Sequence, residues 1–285
     1  MYSSGFIKQH PVLTFYVVTF AISWGGILLA VALGGMPRDP ARLARMIPVM
    51  VAAMLAGPGV ASISVTGIAG GREGYRDLLW RLIRSRVPIG SYATALLTAP
   101  LVLMTVPLAL SLRFPNFVPR ILTESNKFHS ADGVRRWVGG WFLRGTGVDG
   151  FCHSQAQAEV RFVQDCCHCR CFLGAWHLPV NICSCVTASG TLSVPSFVGT
   201  LLFTFGLLPA FRVLIVRAWD HTGSLLVAML MHLSLTASNI ILGPAATPGM
   251  MAISFNLILA AAMWIVAAAS AVASLKHPPM HVVRG

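Results

Sequence analysis

The stretch FHSADGVRRWVGGWFLRGTGVDGFCHSQAQAEVRFVQDCCHCRC, Phe128–Cys171, interrupts a chain that is otherwise oily. It carries Asp132, Arg135, Arg136, Arg144, Asp149, Glu159, Arg161, Asp165 and Arg170, together with Cys152, Cys166, Cys167, Cys169 and Cys171. The two remaining cysteines, Cys183 and Cys185, follow shortly. On either side, 1–127 and 172–285 are long apolar runs joined by short basic loops. The stretch is either an inserted metal-binding loop or a segment translated out of frame.

Codon arithmetic separates the two. Read one base along, cysteine (TGY) before T or C encodes only Ala or Val, and histidine (CAY) before T encodes only Ile or Thr. Asp165-Cys166-Cys167-His168-Cys169 then becomes a run of Ile/Thr and Ala/Val. Gln155, Gln157, Glu159 and Gln164, each followed by a codon that begins with G, are forced to Lys or Arg. A polar tract thus becomes helix, basic turn, helix, which is the pattern of its flanks. The same offset permits a Glu-Glu pair across the codons of Arg144, Gly145 and Thr146. The segment 128–171 is therefore expected to be a mis-phased copy of two membrane helices. The literal alternative is a zinc site on Cys166, Cys167, His168, Cys169 and Cys171, but the repeated C-x2-C spacing of such sites is missing.

A hydrophobic fraction of 55%, 11% charged residues and a mean hydropathy of +0.72 exclude a soluble globular class. The fold expected is all-α: a polytopic transmembrane helical bundle with about eight spans of about 20 residues in its ancestral form. Runs of the required kind are Pro11–Leu33, Met46–Ala69, Val87–Leu112, Val194–Val216, Gly223–Leu242 and Met250–Leu275, with Phe172–Ile182 too short to span alone. Gly57-Pro58-Gly59 is expected to break the second run, and Pro100 and Pro107 the third. Pro11–Leu33 is too long for the h-region of a signal peptide and reads as the first span. The seven cysteines are too clustered to form a disulfide framework.

Between the second and third runs, GREGYRDLLWRLIRSR (Gly71–Arg86) sets Tyr75, Leu78, Leu79, Leu82 and Ile83 on one helical face. Arg72, Arg76, Arg81, Arg84 and Arg86 lie off that stripe, so an amphipathic interfacial helix is expected over about 72–86. The preceding loop has only Arg38, Arg42 and Arg45, so the positive-inside rule makes the 71–86 loop cytoplasmic, with Lys8 and the N-terminus on the same side. An even number of spans returns Lys276 and the C-terminus to the cytoplasm of a multi-pass cell-membrane protein. The net charge of +12 is then basic loops meeting anionic lipid, and no nucleic-acid partner is expected. Arg212, Arg217 and Asp220-His221 read as an ordinary loop.

Two apolar segments carry histidines: Leu173-Gly174-Ala175-Trp176-His177-Leu178-Pro179-Val180-Asn181 and Ala228-Met229-Leu230-Met231-His232-Leu233-Ser234-Leu235-Thr236. With the offset Glu-Glu pair they resemble, in order and placement, the CPBP family of intramembrane proteases, also known as the CAAX-protease or abortive-infection family. The resemblance runs from about Phe6 to Val272. It implies an intramembrane endopeptidase acting on a membrane-proximal peptide or prenylated protein. A glutamate would activate water, and histidines would orient it or stabilise the oxyanion, with no cofactor or metal. The catalytic positions carried over are His177, His232 and Thr236, the last standing where the family often has Asn; Leu173 replaces a common Phe. Because the chain as written has no acidic pair on a span, it is expected to be catalytically dead. A non-enzymatic membrane immunity or scaffold protein is the alternative. A transporter would show inverted repeats, which the sequence lacks.

Overall fold

The computed structural model describes residues 3–123, 172–244 and 249–276. The stretch 128–171, expected from its codons to be out of frame, and its Cys/His cluster lie outside the described residues. Six helices among those described are long and apolar enough to cross a membrane, and the protein is an all-α polytopic bundle.

A short α1 (Ser3–Gln9) leads into α2 (Pro11–Gly34), which starts on proline and stops at Gly35, whose φ of 73° ends the helix. α3 (Pro40–Ile83) is capped by Asp39, whose carboxylate accepts from the Arg42 amide at 2.7 Å. The break expected at Gly57-Pro58-Gly59 is absent, and α4 (Ile89–Ser111) likewise runs unbroken past Pro100 and Pro107. Neighbouring helices compensate the lost backbone bonds in a membrane bundle. After a single turn of 3-10 helix at Pro115–Phe117 comes α5 (Arg120–Thr123).

On the far side of the undescribed segment, residues 172–176 are helical and α6 spans Leu178–Ser184. α7 (Val194–Leu201) passes through a π-helical turn (Leu202–Leu207) into α8 (Leu208–Thr222); α9 (Leu225–Leu242) and α10 (Met250–Lys276) complete the bundle.

α2 and α3 run antiparallel along a seam of small residues. A Cβ on Gly57 would strike the Ser23 hydroxyl and sit 2.6 Å from the Thr19 carbonyl oxygen; one on Gly26 would lie 2.7 Å from the Ala53 Cβ. Ser23 donates to the Ala53 carbonyl at 3.1 Å. Lipid gives no hydrophobic reason for helices to associate, so such close backbone approach, with its dispersion contacts, holds the pair. Gly57 is thus a packing residue rather than a helix breaker.

α3 bends at Gly71 (φ 57°, ψ −141°), between the second apolar run and the amphipathic stretch, and turns back on itself there. The Tyr75 hydroxyl donates to the Ile63 carbonyl at 2.9 Å and its ring lies against Gly67. The apolar stripe read from the sequence divides here. Leu78 and Leu82 pack on the core, whereas Leu79, Trp80 and Ile83 are 58%, 62% and 65% exposed. A helix at the boundary of two media has two apolar neighbours, the bundle and the lipid, and this one faces both. It ends at Ile83, three residues before the expected limit.

The second packing centre joins α4, α8, α9 and α10 around Leu103, Phe211, Leu225, Met231, Leu259 and Met263. Ser234 of α9 donates to the Leu96 carbonyl of α4 at 2.8 Å. Helices from both flanks of the anomalous stretch therefore share one core.

The expected loop at Arg212–His221 is instead helical. α8 continues to Thr222 and closes on Gly223 in the left-handed region (φ 60°), with the Gly223 amide bonded to the Trp219 carbonyl at 2.6 Å. Arg212 is buried, and the Arg217 Nε donates to the Ser270 hydroxyl of α10 at 3.0 Å. Polar residues mislead here because they are satisfied inside the bundle.

Cross-links sort the helix ends into two faces. On one, the Ser224 hydroxyl donates to the Arg84 carbonyl at 2.5 Å and Arg81 lies 5.3 Å over the Trp219 ring. On the other, Pro119 bridges Pro244, and the Asn116 amide reaches the Met251 sulfur at 3.5 Å.

Candidate functional site

His177 stands at an interruption. Its amide bonds the Gly174 carbonyl at 3.2 Å, a tight turn, and Pro179 two residues on has no N–H to continue the preceding helix. The Asn181 amide then bonds the His177 carbonyl at 3.0 Å as α6 begins. Imidazole Nδ1 is 2.8 Å from the Leu173 carbonyl oxygen, which only accepts. That bond places the ring proton on Nδ1 and makes Nε2 the basic nitrogen.

The stretch is held from two sides. Trp24 of α2 donates from Nε1 to the Trp176 carbonyl at 3.2 Å, and the Trp176 ring, itself buried, meets His177 edge-on at 4.8 Å. From the π-helical turn, Phe205 presses on Gly174 so closely that any side chain there would collide, and Thr204 accepts from the buried Asn181 amide at 3.4 Å. A π turn inserts an extra residue and re-aims its neighbours. Here it puts Phe205 on Gly174, Thr204 on Asn181 and Phe203 into the adjoining cavity.

That cavity, about 420 Å³, lies between the two packing centres. α3 contributes Leu43, Ile47, Met50, Val51 and Met54; the 172–184 segment contributes Leu173, His177, Val180 and Ser184. Phe203 and Leu208 close one side, and α9 supplies His232, Leu235, Thr236, Asn239 and Ile240. The three residues singled out in the sequence, His177, His232 and Thr236, therefore line one space although 55 positions separate the histidines in the chain. His232, Thr236 and Asn239 follow at helical spacing, which puts them on one face of α9.

Asn239 escaped the sequence reading. It lies one helical turn past Thr236, outside the motif, and the periodicity of α9 was the signal that could have found it. Asn181 was quoted only as motif context, and the structure ties it to the π turn rather than to the cavity. None of the described residues lining the cavity is Asp or Glu, and no group of three or more potential metal ligands occurs among the described residues. Cys183 and Cys185, outside the six spans, are buried free thiols in this structure.

No protein-family model matches the chain, and no curated protein matches it in sequence.

Proposed function

We propose that this chain has the framework of a CPBP-type intramembrane endopeptidase and that, as written, it hydrolyses nothing. The observation that carries the reading is the meeting of His177, His232 and Thr236 in one cavity between membrane helices. Imidazoles are costly in an apolar bundle, and a fold that turns two of them into the same space favours a chemical use. With Nδ1 of His177 held by Leu173, Nε2 can accept from a water or a substrate N–H. His232 and Thr236 can donate toward developing negative charge on a carbonyl oxygen. The carboxylate that would activate the water in that family is missing from the cavity: none of the described residues lining it is Asp or Glu. The Glu-Glu pair recovered by the one-base offset supplies it. The substrate class we propose is a membrane-proximal peptide or a prenylated protein.

The arginine-rich face, with Arg72, Arg76, Arg81, Arg84 and Arg86, is the cytoplasmic face in this reading, and the protein resides in the cell membrane. α2 begins and α10 ends on that same face, which supports cytoplasmic termini. The test compares the chain as written with a frame-restored version in proteoliposomes, using a quenched fluorogenic farnesyl-peptide. The restored protein is expected to cleave it and to lose at least about a hundredfold in rate on His177→Ala or His232→Ala. The chain as written is expected to give only the background rate. Histidine-dependent cleavage by the chain as written would refute the inactive assignment, and a restored protein without turnover would refute the endopeptidase reading.

A further inference from the structure

We propose that the cavity between α3 and α9 binds a free long-chain fatty acid, admitted sideways from the bilayer. This does not depend on peptide hydrolysis and concerns the chain as it stands.

The first observation is where the cavity opens. Ile47 and Val51 of α3 and Ile240 of α9 line it, yet they are 48%, 42% and 37% exposed. The accessible surface of these side chains puts the mouth of the cavity at Ile47, Val51 and Ile240. An opening rimmed by isoleucine and valine on membrane helices gives onto hydrocarbon, so a ligand using it has an apolar chain. The second observation is the wall. Met50, Met54 and Leu235 are almost wholly buried, and methionine's unbranched thioether adapts to a flexible alkyl chain. A volume of about 420 Å³ falls in the usual range for small-molecule sites.

The third observation fixes the head group. The polar lining includes His177, His232, Thr236 and Asn239, and none of the described lining residues is charged like Lys, Arg, Asp or Glu. A carboxylic acid brings one donor and one acceptor. Its O–H points to a basic ring nitrogen, for which Nε2 of His177 is prepared, and its C=O accepts from Thr236 or Asn239. If the proton crosses, the acid O–H bond breaks and an Nε2–H bond forms, leaving carboxylate beside imidazolium with no net charge in the pair. Neutrality matters because an isolated ion is expensive in such a medium. A phosphocholine head would bring a permanent cation, for which the described lining holds no carboxylate.

The experiment uses the full chain in nanodiscs with a photoreactive palmitic acid carrying a diazirine on its chain. Labelling is expected on the peptides that contain Met50–Val51 and Leu235–Asn239. Palmitate should compete at about tenfold lower concentration than its methyl ester, the difference expected for a lost hydrogen bond to a charged group. His177→Ala with His232→Ala should abolish that preference. Leu235→Trp should fill the wall and remove the label. Val51→Trp, at the half-exposed mouth where folding is not at risk, should do so too. Overturning results are labelling spread over the lipid-facing helices, labelling that survives Val51→Trp in a monodisperse protein, or equal competition by acid and ester. Better competition by lysophosphatidylcholine or by a farnesyl-peptide would assign the cavity to that ligand instead and equally overturn the proposal.

Discussion

Gly57 shows how much a single residue decides in a medium that offers helices no hydrophobic reason to meet. Its missing side chain lets α3 lie against Thr19 and Ser23 of α2. Gly57→Val is expected to separate the pair and destabilise the protein by about 1–3 kcal/mol, the usual penalty for overpacking. Unfolding in mixed detergent micelles measures this, and an unchanged midpoint would remove Gly57 from the seam. The buried thiols give a second expectation. Burial pushes Cys183 and Cys185 above the ordinary thiol value of 9.0, and for Cys185 a hydrogen bond with Thr200 acts in the opposite direction. Their thiolate fraction is therefore low at neutral pH, and alkylation of the folded protein should lag behind that of the denatured chain, more so at Cys183. The fold accommodates the neutral thiol, so this contribution to stability is full below the ordinary value and is lost as pH rises through the raised one. Mass-spectrometric tracking of iodoacetamide adducts checks the lag. Equal rates in folded and denatured protein would contradict it.

At the scale of the element, the Arg72–Ile83 part of α3 links membrane surface to cavity wall. Arg84 at its end is tied to Ser224, the residue that caps α9, and α9 carries His232. Spin labels should discriminate its two apolar sides: a label at Leu82 is expected to be immobilised, and one at Trp80 to be mobile and at headgroup depth. Equal mobility at the two sites would mean that the helix does not dock. Ser224→Ala removes both the cap and the tie and is expected to cost about 0.5–2 kcal/mol. The segment 128–171 makes its own prediction at the nucleotide level. Sequencing across codons 125–175 is expected to reveal a pair of compensating indels relative to close homologous genes, and an uninterrupted frame would leave the literal Cys/His reading in place.

At the scale of the whole molecule, the spans were legible because the length of an apolar run is nearly all that a membrane requires of a helix. The first, third and last spans end within a few residues of where composition places them. What the sequence hid follows from the same physics. Arg212, Arg217 and Asp220 look like a loop, yet α8 carries them because neighbouring helices supply polar partners such as Ser270. Gly57-Pro58 looks like a break, yet it is a contact. Two of the cavity's polar positions, His177 and His232, stood out because a histidine in an oily run is conspicuous. Asn239 did not, since near a helix end an asparagine is unremarkable. Reporter fusions test the topology: a C-terminal fluorescent protein is expected to be cytoplasmic, and a cysteine placed in the α2–α3 turn at Met36 to react with an impermeant maleimide from outside. The reverse pattern would invert the bundle.

The convergence of the two histidine segments on one space is the claim on which the rest stands. A cavity of this volume is about 9 Å across if compact, well within the scale of a small-molecule site. His177→Cys with His232→Cys, in a background lacking the native cysteines, should therefore be bridged within one chain by a short bifunctional methanethiosulfonate in native membranes. Efficient intramolecular bridging is the predicted result. Two cysteines that each react singly but are never bridged in the folded protein would contradict the account.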